Sequence, residues 1–255
     1  MGKPDTALVA AVRPSPNCGP RRGEARPSIL LLHYTGVASA ATAIDWLSRA
    51  ESKVSAHYVV DEAGQVTQLV AEEMRAWHAG LGTWAGESDV NSVSIGIEIH
   101  NPGHEQGYPD FPEPQLGAVE ALCRDIIARH GIRPERVLAH SDVAPTRKKD
   151  PGEKFPWARL ARAGVGHWVA PEPLSLADPG IARDAAGPLV AAVQSLLASY
   201  GYGIEATGGF DPKTEFVVTA FQRHFRPERV DGRIDRSTVA TLERLIASLP
   251  TRSPA

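Results

Sequence analysis

The chain has 255 residues, with 27 Lys and Arg against 30 Asp and Glu and a formal net charge of -3. That balance gives no support for nucleic acid or an anionic membrane surface as partner, and the length suits one substantial domain plus a small one. The two cysteines, Cys18 and Cys123, provide no disulfide framework, and no apolar run reaches the roughly 18 residues of a membrane span.

Residues 1–27 are rich in Pro, Gly and Arg without periodicity and read as a loose arm over the first domain. Their one apolar patch, cut by Arg13 and Pro14, is too short for the core of an export signal. Ser28 to His33, SILLLH, is a continuous apolar run, the pattern of a strand buried on both faces, and it ends in a histidine followed by Tyr34. Helical spacing of Ala43, Ile44 and Leu47 predicts a helix over 38–50. Ser55 to Asp61 and Gln65 to Val70 flank a glycine and predict a hairpin. His57, inside it, suits a structural or substrate-contacting role better than that of a metal ligand.

The stretch from Ala76 to Asn91 carries Trp77, His78 and Trp84 among glycines and has no period, the mark of a functional loop. Either tryptophan can stack on a sugar ring or fill the core, and the residues alone do not choose. Val93 to His100 alternates cleanly, so the β-branched positions face the core while Ser94, Gly96, Glu98 and His100 share the other face. Glu98 then stands above small residues that leave room for a substrate. Leu116, Val119, Cys123, Ile126 and Ile127 predict a helix over 115–130 that Gly131 ends. Nothing distinguishes His104 or His130 from surface histidines.

Val137-Leu138-Ala139 reads as a second buried strand. It runs into HSDVAPTRKKDPG, which places His140, Lys148 and Asp150 on one proline-punctuated loop. Phe155-Pro156-Trp157 opens a short helix that ends near Gly164, and the first domain closes at about residue 170. The proline-rich stretch 171–184 reads as a linker. Three helical patterns follow, Leu189 to Tyr200, Pro212 to Phe225 and Arg236 to Leu249, with Asp211 and Asp235 as N-caps. This small module, over 185–250, carries no acid-base pair and is expected to bind rather than catalyse.

Two imidazoles and one carboxylate, from His33, His140 and Asp150, suit zinc and leave a fourth tetrahedral position open, the pattern of a catalytic site. Glu98 is placed to serve as general base and Lys148 to stabilise an oxyanion, which together describe hydrolysis of an amide. The stretches LLLHYTG, SAHYVVD, RAWHAG, SIGIEIHN and HSDVAPTRKKDPG resemble the zinc-dependent N-acetylmuramoyl-L-alanine amidases of the amidase-2 type, and within them the AmiD-type branch. That resemblance implies an α/β fold with a central mixed β-sheet flanked by helices, related to phage T7 lysozyme and the peptidoglycan recognition proteins. It also implies zinc on His33, His140 and Asp150, with Glu98 and Lys148 catalytic. Tyr34, His57, Trp77, His78 and Trp84 are the residues expected to contact substrate. The tail, through Val193-Gln194-Ser195, Gly209-Phe210-Asp211 and Ala220-Phe221-Gln222, resembles a three-helix peptidoglycan-binding domain. The implied substrate is peptidoglycan or its (anhydro)muropeptide fragments, cut between the lactyl group and L-alanine. A zinc-bearing peptidoglycan sensor without turnover is the competing reading, which the complete residue set disfavours. For location, the wall-binding module points to the periplasm and the lack of a legible export signal to the cytoplasm.

Overall fold

In the computed structural model residues 3–249 are described, so the first two positions of the expected arm and position 250 of the expected C-terminal module lie outside them. The strands are β1 (Ala11–Val12), β2 (Cys18–Pro20), β3 (Ile29–Tyr34), β4 (Tyr58–Val60), β5 (Val66–Gln68), β6 (Met74–Ala76), β7 (Ser94–Ile99) and β8 (Val137–Ala139). The helices are α1 (Ala40–Leu47), α2 (Val90–Val93), α3 (Glu113–His130), α4 (His140–Val143), α5 (Trp157–Arg162), α6 (Pro188–Tyr200), α7 (Pro212–Phe225) and α8 (Arg236–Ala247). The main sheet runs β1-β5-β4-β7-β3-β8 and is mixed, because the β4-β5 hairpin is antiparallel while β3 pairs parallel with both β7 and β8.

The period of two along β3 assigns each side chain to a face. Leu30 and Leu32 join Ile95, Ile97, Ile99 and the apolar stripe of α3, from Leu116 to Ile126, in one core. Ile29 and Leu31 face the opposite way, into a second core shared with Val193, Leu197, Phe221 and Phe225 of the C-terminal helices. His33 continues the second set, and Glu98 lies opposite it in register on β7. The parallel strands thus bring two ligand-bearing ends and one carboxylate to the same rim.

Two expectations change. The arm is stitched down: β1 pairs with β5 and β2 with β6, and Asn17 is 3% exposed with its amide donating to the carbonyls of Arg49 and Val54. Arg21 donates to the carbonyls of Glu72, Ser92 and Ser94. Two- and three-residue strands leave no readable period, and the fastening is by polar side chains, which is why composition alone suggested a loose segment. The C-terminal module is likewise not a free attachment. Residues 171–184 run along it, with Ser237 donating to the Glu172 carbonyl and Ile181 bridging Ile234, and the module packs on the catalytic domain through the shared core.

Inside the module, Asp211 and Asp235 cap α7 and α8 by accepting from the N–H groups of Thr214 and Thr238, as expected. Two buried glutamines do matching work: the Gln194 carbonyl accepts from Gly208 N–H, and that of Gln222 accepts from Asp231 and Gly232 N–H. Each ties a helix to the turn that leads into the next one.

Candidate active site

Parallel pairing sets the end of β3 beside the start of α4, and His33 Nδ1, His140 Nδ1 and Asp150 Oδ2 meet there. The two nitrogens are 2.8 Å apart, and Oδ2 lies 3.2 Å from His33 and 2.9 Å from His140. All three side chains are buried. The loop is held in place by Ser141 N–H donating to the Asp150 carbonyl and by the Tyr108 hydroxyl donating to the Pro151 carbonyl.

The surrounding hydrogen bonds decide where the protons are. His140 Nε2 lies 2.9 Å from the Ala79 carbonyl, which only accepts, so the proton sits on Nε2 and Nδ1 is bare. On the other side Ser94 Oγ donates to the Val90 carbonyl, and so accepts from His78 Nε2. His78 Nδ1 must then accept from His33 Nε2, 3.1 Å away, which leaves His33 Nδ1 bare as well. Burial, then the neighbouring His140, lowers the His33 pKa to about 4, so the ring is neutral at pH 7. With both rings neutral in these tautomers, two imidazole lone pairs and a carboxylate oxygen converge, an arrangement that a divalent cation satisfies.

Glu98 stands next to this cluster. Its Oε2 is buried and has no hydrogen-bond partner among the described residues. Burial first, and the Asp150 charge second, push its carboxyl well above the usual carboxylate range, while Lys148 acts in the opposite direction. Lys148 itself is partly exposed, and its ammonium forms no ion pair among the described residues.

The expected substrate contacts divide. Tyr34 is half-buried at the rim, its hydroxyl 3.0 Å from His104 Nδ1. Trp77 is half-buried and outside the hydrophobic clusters of the described residues. The other three are turned away from any ligand. His57 is 0% exposed, accepting from Gly96 N–H and donating to the Met74 carbonyl. His78 lies behind His33 as its orienting partner. Trp84 is 1% exposed, its ring edge-on to Tyr202 at 4.9 Å and to Tyr200 at 5.9 Å. A Cβ on Gly201 would come within 2.6 Å of the Trp84 ring, so this tryptophan plugs the domain interface and has no face left for a sugar.

Sequence reasoning also passed over His104. Its ring stacks on Tyr108 at 4.2 Å, and Nε2 lies 3.2 Å from Glu153, whose own pKa that hydrogen bond draws down to about 2. Its loop carries no period or motif that could have pointed to it.

The room above Gly96 is taken by His78 rather than by substrate. A Cβ there would lie 2.5 Å from His78 Nδ1. Gly96→Ala is expected to push His78 off His33 and weaken divalent-metal affinity by roughly 10- to 100-fold, the usual cost of losing an orienting partner. Chelator competition measures it; an unchanged affinity would mean that His78 does not orient His33.

A mixed sheet whose strand ends gather two imidazoles, a carboxylate and an adjacent half-buried glutamate has the layout of a hydrolase active site. The chain belongs to the N-acetylmuramoyl-L-alanine amidase family, whose family model matches residues 23–153, and a peptidoglycan binding domain matches residues 186–242. It is 37% identical over 238 residues to the N-acetylmuramoyl-L-alanine amidase AmiD of Escherichia coli, covering 87% of this chain and 83% of that one. The crystal structure of that amidase with anhydro-N-acetylmuramic acid-L-Ala-D-gamma-Glu-L-Lys superposes with a TM-score of 0.75 at 35% identity, over 89% of this chain and 91% of the other. AmpDh3 of Pseudomonas aeruginosa, in complex with an anhydromuramic pentapeptide, gives a TM-score of 0.73 at 31% identity, over 90% and 95%. None of the described helices is long and apolar enough to cross a membrane.

Proposed function

We propose that this amidase holds a zinc ion on His33, His140 and Asp150 and hydrolyses the amide between the N-acetylmuramic acid lactyl group and L-alanine, in peptidoglycan or its anhydro-muropeptide fragments. The observation that carries the reading is the convergence of two imidazole nitrogens and a carboxylate oxygen beside a buried glutamate oxygen that has no partner among the described residues. Zinc held by His33, His140 and Asp150 would polarise the scissile carbonyl and would lower the pKa of an attacking water towards ~7. Glu98, its carboxyl pushed up by burial, takes the proton from the water and passes it to the departing alanine nitrogen. Lys148 faces the same space with an unpaired ammonium and offsets the negative charge that develops on the carbonyl oxygen. His78 and the Ala79 carbonyl keep both imidazoles in the ligating tautomer. The peptidoglycan-binding module favours action at the cell envelope.

Mass spectrometry of the products tests this reading directly. Zinc-loaded protein incubated with purified sacculi, and in parallel with soluble anhydro-muropeptides, is expected to release peptides that begin with L-alanine. Intact substrate in both reactions would remove the proposal.

A further inference from the structure

The 145–149 loop and α7 face each other across a cleft of ≈ 210 Å³ that belongs to both domains. Thr146, Lys148 and Lys149 line one wall, and Glu215, Phe216 and Arg223 the other. Lys148, which acts electrostatically on Glu98, is one of the lining residues, so the cleft lies beside the reacting centre. Its acidic member is already committed, since Glu215 pairs with Arg183. Lys149 pairs with Glu105 at 3.3 Å, both side chains at least half exposed, which is a weak surface contact.

Arg223 is different. Its side chain is 16% exposed, yet the guanidinium donates no hydrogen bond among the described residues. Its one ion pair there is a 3.5 Å approach of Nε to Glu153 Oε2, and Glu153 is also engaged by His104. A guanidinium carries five N–H donors in a planar fork that matches a carboxylate; here Nε is desolvated without a hydrogen bond, and the terminal nitrogens donate none among the described residues. Lys148, which forms no ion pair among the described residues, lines the same cleft. Arg223 also acts electrostatically on the Tyr34 phenol, so it stands close to the rim on which substrate must lie.

We propose that this interdomain cleft is the subsite for a carboxylate of the stem peptide, held by the Arg223 fork of the C-terminal module. The assignment rests on the amidase reading above. In a γ-linked glutamate at the second stem position the α-carboxylate stays free, and one extended residue beyond alanine places it within roughly 7 Å of the scissile nitrogen. Arg223, one wall away from Lys148, meets that group, while Phe216, 42% exposed, offers an apolar wall to the peptide. The preferred substrate class is then a stem whose second residue keeps its α-carboxylate, over one amidated there. The wall-binding module on this view completes the substrate cleft as well as attaching to polymer.

Two soluble anhydro-muramoyl tripeptides that differ only in a carboxylate or a carboxamide on the α carbon of the second residue provide the test, with the full-length zinc-loaded protein. The wild type is expected to favour the acid by roughly 10- to 100-fold in kcat/KM, mostly through KM, as suits a charge-assisted fork. Arg223→Gln is expected to bring the ratio close to 1 by losing the acid alone, with Arg223→Lys recovering part of it. Phe216→Glu, at an exposed position, sets a like charge at the cleft mouth and is expected to raise KM for the acid only, which keeps the test open if Arg223→Gln does not fold. Equal wild-type use of acid and amide, or an unchanged ratio in folded Arg223→Gln and in Phe216→Glu, overturns the assignment. Cleavage of neither tripeptide would instead remove the amidase reading, and calorimetric titration of the same two compounds would still report the cleft: preference for the acid, lost in the variants, supports it, and equal affinities overturn it.

Discussion

Glu98→Gln is expected to bind zinc as tightly as the wild type and to lose hydrolysis by about 10²- to 10⁴-fold, the range that a positioned general base contributes. The substitution keeps the volume of a side chain whose Oε2 is buried without a partner, so the fold has little to lose. The metal has little to lose either, because the donors proposed for it are His33, His140 and Asp150, and Glu98 is not a member of that cluster. The effect should fall on kcat with KM nearly unchanged, since the carboxylate acts on the moving proton rather than on the bound sugar. Metal content by atomic emission and turnover of a soluble muropeptide are the two measurements. Zinc lost together with activity would make Glu98 a ligand; activity retained would require another base.

How far the site was legible follows from what each residue does. His33, Glu98 and His140 sit at ends of strands or on a cleanly alternating one, and period-two patterning is a local signal that burial on both sheet faces makes strong. Asp150 and Lys148 were marked by their prolines and by proximity in sequence to His140. The role of His78 is hidden in the sequence, and that of His57 stays open between structure and substrate contact, because each depends on a partner 45 or 39 residues away and a hydrogen bond across the sheet leaves no trace in local periodicity. Trp84 was ambiguous for a related reason: an aromatic residue in a glycine-rich loop reads the same whether it awaits a sugar or fills a seam between domains. The proline-rich 171–184 stretch suggested a flexible tether, yet the strength of the contact between domains resides in side chains far from it. Composition reports how a segment is built, not what it is packed against.

That contact gives the second large prediction. Deleting residues 171–255 is expected to abolish activity on soluble muropeptides as well as on sacculi, whereas a simple tether would cost activity on polymer alone. The reason lies in Asp142, 0% exposed on the short helix that begins with His140. It accepts from Ala139 N–H at 2.8 Å within its own domain, and from Tyr202 Oη and His224 Nδ1, both at 2.7 Å, across the interface. His224 is itself clamped between the Trp157 and Phe225 rings, 3.7 and 3.8 Å between centroids. Removing the module strips two of the three donors from Asp142 and opens the face on which it lies to water. It also uncovers Trp84, Leu31, Leu138 and Val143. A milder variant separates support of the site from collapse of the fold: Tyr202→Phe keeps the ring in the core and removes one hydrogen bond, worth about 1.5–3 kcal/mol to a charged acceptor. It should melt earlier than the wild type while staying folded, and the truncated chain should show no cooperative transition. A truncated protein that melts like the intact one and turns over soluble muropeptide at full rate would show that the catalytic domain stands alone, with the module serving only to hold polymer.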